Sequence, residues 1–312
     1  MVQSLYSSIF WRRTSGAWAI IAATLVVLIL YALLFPTLLH LSGLARLSQT
    51  WFPLAAVTMA QSIIMLTGGI DLSTGAVVSV GCVLAATVVG DSAAGMAGGI
   101  AVVLVAGAAI GVMTGLVVTL LRLPPIIVTL ATSFIWSGVA LLIMPIPAGS
   151  IPESLSNALA GDLPTPVLII AVLAVLWKLW TMTPLGLASA VFGDNPAGAY
   201  RSGVNVDLAR VAAYAISGVL SVLAGLFVAA QTGSGDPTIG ASYTLNSITA
   251  AVLGGVAFTG GVGTMRGALT GALLLTAMIS VMFLLGISAF YQYIAQGAVI
   301  LVAVAMPLLR WR

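Results

Sequence analysis

"AVVLVAGAAIGVMTGLVVTLL", residues 101–121, runs without one charged side chain. At about 1.5 Å per residue, a helix of this length covers the ~30 Å hydrocarbon core of a bilayer. Residues 17–35 and 211–230 are similarly long and also uncharged. Charged residues make up only 5% of the 312-residue chain and hydrophobic ones 61%, whereas a soluble domain carries about 25% charge. A soluble core of this size cannot hide so many apolar helices. The runs do not alternate apolar with polar residues as the strands of a membrane β-barrel do. The expected fold is all-α: a polytopic integral membrane protein with a single transmembrane domain over 1–312.

Hydrophobic runs and their breakers predict about ten helices, at about 17–39, 47–68, 72–90, 96–121, 125–145, 165–181, 210–230, 244–259, 264–286 and 288–309. The basic pair Arg12-Arg13 precedes a run too long for a signal peptide and without an A-x-A exit, so it reads as the first span. With an inside N-terminus, Arg12, Arg13, Arg122, Lys178, Arg201, Arg210, Arg266, Arg310 and Arg312 fall on one side. Arg46, Asp91, Glu153, Asp162 and Asp236 fall on the other. This bias predicts both termini in the cytoplasm. Trp51, Trp177, Trp180 and Trp311 lie near expected helix ends, as interfacial anchors do.

What the chain lacks narrows its function. Its one lysine, Lys178, sits in "LWKLW", so no GK[ST] phosphate loop is present. The one histidine, His40, has no ligand-spaced partner, and the one cysteine, Cys82, lies in an apolar run as a small hydrophobe. No clustered catalytic set and no paired intramembrane acids and bases are visible. An enzyme, a stand-alone channel or an ion-driven carrier is therefore disfavoured, and no metal or nucleic acid is expected. Any energy for transport enters from outside the chain.

Against this background "MLTGGIDLSTGAVV", residues 65–78, is unusual, because it places a carboxylate between two apolar runs. By topology it joins helices two and three at or below the inner side of the membrane. Gly68 and Gly69 let the backbone leave the helix, and Asp71 can accept from the N–H of Ser73 or Thr74. One reading is a capped turn; the other is a discontinuous helix lining a substrate path. Both are compatible, since such breaks are tolerated where they border protein or a cavity. Further polar or aromatic candidates for a path are Gln61, Ser79, Thr129, Thr132, Phe134, Asn246 and Thr249.

Glycines recur every fourth residue at Gly107, Gly111 and Gly115, and at Gly263, Gly267 and Gly271. Such ladders allow close helix packing. Their five-helix offset would also suit an inverted repeat of the transporter kind. The longest connections are residues 145–163, outside, and 181–207, inside. In the inner one, Asp194 or Asn195 can cap a short helix with Pro196 in its first turn and Gly203 as its stop.

Four blocks, in order from about residue 55 to 305, resemble permease subunits of bacterial ABC importers for ribose, galactose and related monosaccharides. They are "TGGIDLSTGAVVS", "LRLPPIIVTLATSF", "TPLGLASAVFGDNPAGAYRSGVNV" and "AAVLGGVAFTGGVGTMRGALTGALLL". The resemblance implies a bacterial inner-membrane permease that forms a homo- or heterodimer. It implies a cytoplasmic ATPase carrying ATP and Mg, a periplasmic sugar-binding protein, and no cofactor in this chain. It also implies a coupling loop over 182–209 in which Gly193, Asp194, Asn195, Pro196, Gly198, Ala199, Arg201, Ser202 and Gly203 meet the ATPase. For such cargo the residues read above as helix break and path are Gly68, Gly69, Asp71, Ser73, Thr129, Phe134, Asn246 and Thr249. Where the family carries a Tyr-Glu-Leu-Asp segment, this chain reads "YTLNSI", residues 243–248, which leaves the cargo open. The related branched-chain amino-acid permeases, of the same architecture, are the alternative.

Overall fold

The computed structural model describes residues 19–194 and 205–309, without side-chain detail for 190–194, 299–300 and 302–309. Helix α1 spans Ala19–Leu34, and a 3-10 turn at Pro36–Leu39 leads into α2, Leu41–Leu66. There follow α3 (Thr74–Val88), α4 (Ala93–Leu120), α5 (Pro125–Ile143), α6 (Glu153–Ala160) and α7 (Thr165–Met182). The rest are α8 (Pro184–Asp194), α9 (Val206–Thr232), α10 (Ala241–Leu253), α11 (Met265–Leu284) and α12 (Ala289–Leu309). The ten segments read from the sequence are α1–α5, α7 and α9–α12. Among the described residues, five of these, α4, α5, α7, α9 and α11, are long and apolar enough to cross a membrane.

Capping groups set several starts. Ser92 Oγ accepts from the Gly95 N–H at 3.0 Å, Asn205 Oδ1 from Leu208 at 3.0 Å, and Thr264 Oγ1 from Gly267 at 3.1 Å. Each satisfies one of the orphan donors of a first turn. Two elements depart from the sequence reading. The 145–163 connection contains α6, which starts at Glu153 and buries Leu155; the acid at its first turn suits the helix dipole. On the other side α8, absent from the sequence reading, ends at Asp194; the short helix expected after the Asp194 or Asn195 cap lies outside the described residues. Pro184 opens α8, and Thr183 Oγ1 caps it by accepting from the Gly186 N–H at 3.1 Å. The sequence reading missed this start because the later Asp-Asn-Pro signal resembles a stronger one.

Arg122, Lys178, Arg210 and Arg266 lie toward one end of the bundle, here termed the arginine end; Asp91, Glu153, Asp162 and Asp236 lie toward the other. Helix α9 is the hub, packed on α2, α3, α4 and α8. Small residues allow this. A Cβ at Gly111 would strike the Tyr214 carbonyl, and one at Gly225 the Val78 carbonyl. The second glycine ladder is shorter than the sequence implied. Gly267 and Gly271 lie on α11 against α10, but Gly263 precedes the helix with φ 156°.

The interior holds many polar side chains, and the periphery many large apolar ones. Thr58, Gln61, Ser62, Asp71, Ser79, Thr129, Ser217 and Ser221 are buried, while Leu33, Val105, Leu142 and Leu168 are exposed. This distribution is expected where the surrounding solvent is hydrocarbon. Apolar side chains have nothing to gain by hiding, and polar ones find partners only inside.

Candidate functional site

The break between α2 and α3 is tied to its surroundings by several side-chain hydrogen bonds. After Leu66 the chain turns at Gly68, φ 75°, in the left-handed region that a glycine enters at no steric cost. Asp71, 4% exposed, then accepts at Oδ1 from the Ser73 N–H at 2.8 Å and the Ser73 hydroxyl at 2.6 Å. Its Oδ2 faces the Ser217 hydroxyl of α9 at 3.5 Å. The Gln61 amide spans the Asp71 backbone; with its oxygen and nitrogen assigned to match the groups they face, Nε2 donates to the carbonyl at 2.9 Å and Oε1 accepts from the N–H at 3.2 Å. On the far side, Thr129 Oγ1 of α5 accepts from the Leu72 N–H at 3.0 Å and donates to the Ile70 carbonyl at 3.2 Å. Irregular backbone buried away from water must find partners. Here α2 and α5 supply them, while α9 offers Ser217 to the Asp71 carboxylate.

The depth of this break corrects the sequence reading. Ser217 lies eleven residues from Val206, the first residue of α9, or about 16 Å along the helix. The whole of α9, 27 residues, is about 40 Å long and exceeds a ~30 Å hydrocarbon core by only ~5 Å at each end. Asp71 therefore sits inside the apolar thickness, not at its border. The segment rises into the bundle because three neighbouring helices carry polar side chains at that level.

A second break, between α9 and α10, repeats the first. "TGGIDLSTGA", residues 67–76, and "TGSGDPTIGA", residues 232–241, share the pattern T-G-x-x-D-x-[S/T]-x-G-A at a spacing of 165 residues. Gly233 takes φ 71°, as Gly68 takes 75°. Asp236 Oδ1 accepts from the Thr238 N–H at 2.7 Å and its hydroxyl at 2.8 Å. The two copies run in opposite directions, because α2 and α9 are antiparallel. Phe52 meets Phe227 with ring centroids 4.5 Å apart, whereas Ile63 clusters with Ala213 and Tyr214.

The copies meet at their final glycines. The Gly75 N–H donates to Thr244 Oγ1 at 3.1 Å, and the Gly240 N–H donates to Ser79 Oγ at 3.0 Å. Ser79 and Thr244 are themselves 165 residues apart, so the contact is reciprocal. A Cβ on either glycine would fall on the other's carbonyl oxygen. The α2–α3 and α9–α10 pairs thus form an inverted repeat about this point, which the glycine ladders only hinted at. Ser217, Gly75 and Gly240 were not singled out from the sequence; comparing the chain with itself would have found the two glycines.

The other sequence candidates separate into groups. Ser79 and Thr129 are buried and hydrogen-bonded to the breaks. Thr249 is buried and bonds back to the Leu245 carbonyl at 2.8 Å, and Thr132 donates to the Thr129 carbonyl at 3.2 Å. Phe134 of α5 is 72% exposed, and Asn246 of α10 is half-buried. Gly193 and Asp194 end α8. Asn195, Pro196, Gly198, Ala199, Arg201, Ser202 and Gly203 lie outside the described residues. Among the described residues no three of His, Cys, Asp and Glu come together as a metal site would require.

Comparison with known proteins agrees with this architecture. The chain is similar to the ribose import permease of Escherichia coli, 32% identical over 94% of this chain and 95% of that protein. It is similar to the galactose/methyl galactoside import permease of Salmonella typhimurium, 31% identical over 98% and 97%. The ribose import permease of Bacillus subtilis is 31% identical over 90% and 89%. No solved structure gives a significant match. Residues 43–304 match the family described as the branched-chain amino acid transport system/permease component, and this multi-pass membrane protein belongs to that permease family.

Proposed function

We propose that the chain is the membrane-spanning subunit of an ATP-driven importer, forming the path for a monosaccharide or a related small polar solute. What carries this reading is the similarity, along nearly the whole chain, to permeases named for ribose and galactose import. The chemistry of the interior is compatible with it. Hydroxyls, amides and small residues release a polyhydroxylated solute readily, and transport needs weak contacts more than tight ones.

In this reading two permease subunits, alike or different, pair in the bacterial inner membrane with their arginine ends and termini in the cytoplasm. A separate ATPase holds ATP and Mg and docks on the segment that continues α8, with Gly193 to Gly203 as its contact. A periplasmic sugar-binding protein delivers cargo to the opposite end. Phe134 and Asn246 face the path, while Gly68, Gly69, Asp71, Ser73, Thr129 and Thr249 shape its wall. The branched-chain amino-acid reading is kept as the second because the matched family carries that name.

The test is uptake into vesicles containing this chain and its ATPase, with the cognate binding protein supplied from the binding-protein side. ATP-dependent accumulation of labelled ribose or galactose is expected, without accumulation of labelled leucine. Uptake that proceeds without the ATPase would overturn the ATP-driven mechanism. Uptake of leucine alone would move the chain to the amino-acid reading.

A further inference from the structure

We infer that the groove between α4 and α7 is a binding site for one acyl chain of an anionic phospholipid from the leaflet at the arginine end. Helix α7 packs on α2 and α8, and beside it lies a crevice of about 480 Å³. The walls include Ala108 of α4, Leu176, Trp177 and Trp180 of α7, and the floor Met59 of α2 and Leu220 of α9. That volume falls within the ~300–1,000 Å³ range of sites that hold small organic ligands.

The occupant follows from depth and charge. The α7 lining runs from Leu173 to Thr183, about 15 Å along the axis, which is half of a ~30 Å hydrocarbon core. A single-leaflet acyl chain matches this length. Leu176 and Leu179 on the lip are 54% and 55% exposed, so the crevice opens toward the tails. Lys178 is exposed within the same stretch, and its long stem can carry the ammonium to the headgroup level. Arg122, just past the end of α4, is exposed as well, and surface basic residues draw anionic lipids. Trp177 and Trp180 have the amphipathic rings that settle at the boundary between tails and headgroups.

The full-length chain, held in nanodiscs of equal phosphatidylglycerol and phosphatidylcholine, is released for native mass spectrometry. The wild type should retain phosphatidylglycerol at least about fivefold over phosphatidylcholine. Leu176→Trp, at an exposed lip position, should fill the crevice and cut the retained lipid at least about fivefold. Lys178→Glu should keep a bound lipid but lose the headgroup preference; at an exposed position, it tests the proposal even if the tryptophan variant folds poorly. Equal retention of both lipids by the wild type would overturn the anionic assignment. Unchanged retention in Leu176→Trp would overturn the site. Disulfide formation between two copies of a Leu176→Cys, Cys82→Ala chain would overturn it too, by showing that another permease chain covers the crevice.

Discussion

The turns at Asp71 and Asp236 share one local design and differ in what surrounds it. In each, a left-handed glycine ends a helix and an aspartate accepts from the N–H and hydroxyl two residues on. The Asp71 turn is enclosed by α2, α5 and α9, which supply Gln61, Thr129 and Ser217. The Asp236 turn is half-exposed. Its backbone N–H reaches only the Cys82 sulfur, at 3.4 Å, while Gly235 pairs with Ala148 of the connection before α6. Local sequence sets the shape of a turn, and burial sets how many partners it needs. Water can replace a lost partner at Asp236, but not at Asp71.

The largest expected difference follows directly. Asp71→Leu leaves the Ser73 N–H and hydroxyl without an acceptor inside the bundle, at about 1–3 kcal/mol for each stranded group. A loss of about 3–5 kcal/mol is expected, with transport abolished. Asp236→Leu exposes the equivalent Thr238 groups to water and should cost about 0.5–1 kcal/mol, near the low end for a lost cap. Unfolding of both variants by detergent titration measures this, and equal losses would refute the comparison. Next comes the backbone at each aspartate. Gln61→Leu strands both the N–H and the carbonyl of Asp71, for about 2–4 kcal/mol. Cys82→Ser keeps a donor and an acceptor near Asp236 and should cost less than about 1 kcal/mol. A mild Gln61→Leu would mean that the Asp71 backbone has water or another partner.

At one point the two turns should behave alike. Gly75→Ala and Gly240→Ala each drive a methyl into the other glycine's carbonyl, forcing α3 and α10 apart at about 1–3 kcal/mol. Near-equal losses, each compounded little by the other in the double variant, are expected because both strain the same contact. Additive losses would show two separate sites.

Much of this was legible in the chain. Charge-free runs as long as residues 101–121 fixed the class, and Thr264 caps the helix read from 264, whereas Ser92 and Asn205 start their helices a few residues before the expected 96 and 210. The Asp71–Ser73 contact followed from residue type and spacing. The depth of Asp71 did not, because it depends on Gln61, Thr129 and Ser217, which are polar residues scattered over three helices with no local signature. The inverted repeat was readable at a spacing of 165 residues, yet the glycine ladders are more conspicuous and point to packing. Helix α8 was hidden for a different reason: the Asp194-Asn195-Pro196 start signal outweighs the plainer Thr183-Pro184 one before it.

The smallest expected effect asks whether the buried carboxylate matters as a charge or only as an acceptor. In Asp71→Asn the amide oxygen can still accept from the Ser73 N–H and hydroxyl, since asparagine caps as well as aspartate. The amide nitrogen then faces Ser217, whose hydroxyl can turn from donor to acceptor. The turn should survive within about 0.5 kcal/mol, and Asp236→Asn should be as mild because water completes its contacts. If the two variants fold alike and transport alike, the aspartates are turn-forming residues and burial changes only their tolerance to removal. If Asp71→Asn folds normally but no longer transports, while Asp236→Asn transports normally, the negative charge at Asp71 takes part in the transport cycle itself. ATP-driven uptake measured beside unfolding midpoints separates these outcomes, because a purely structural role would move both readings together.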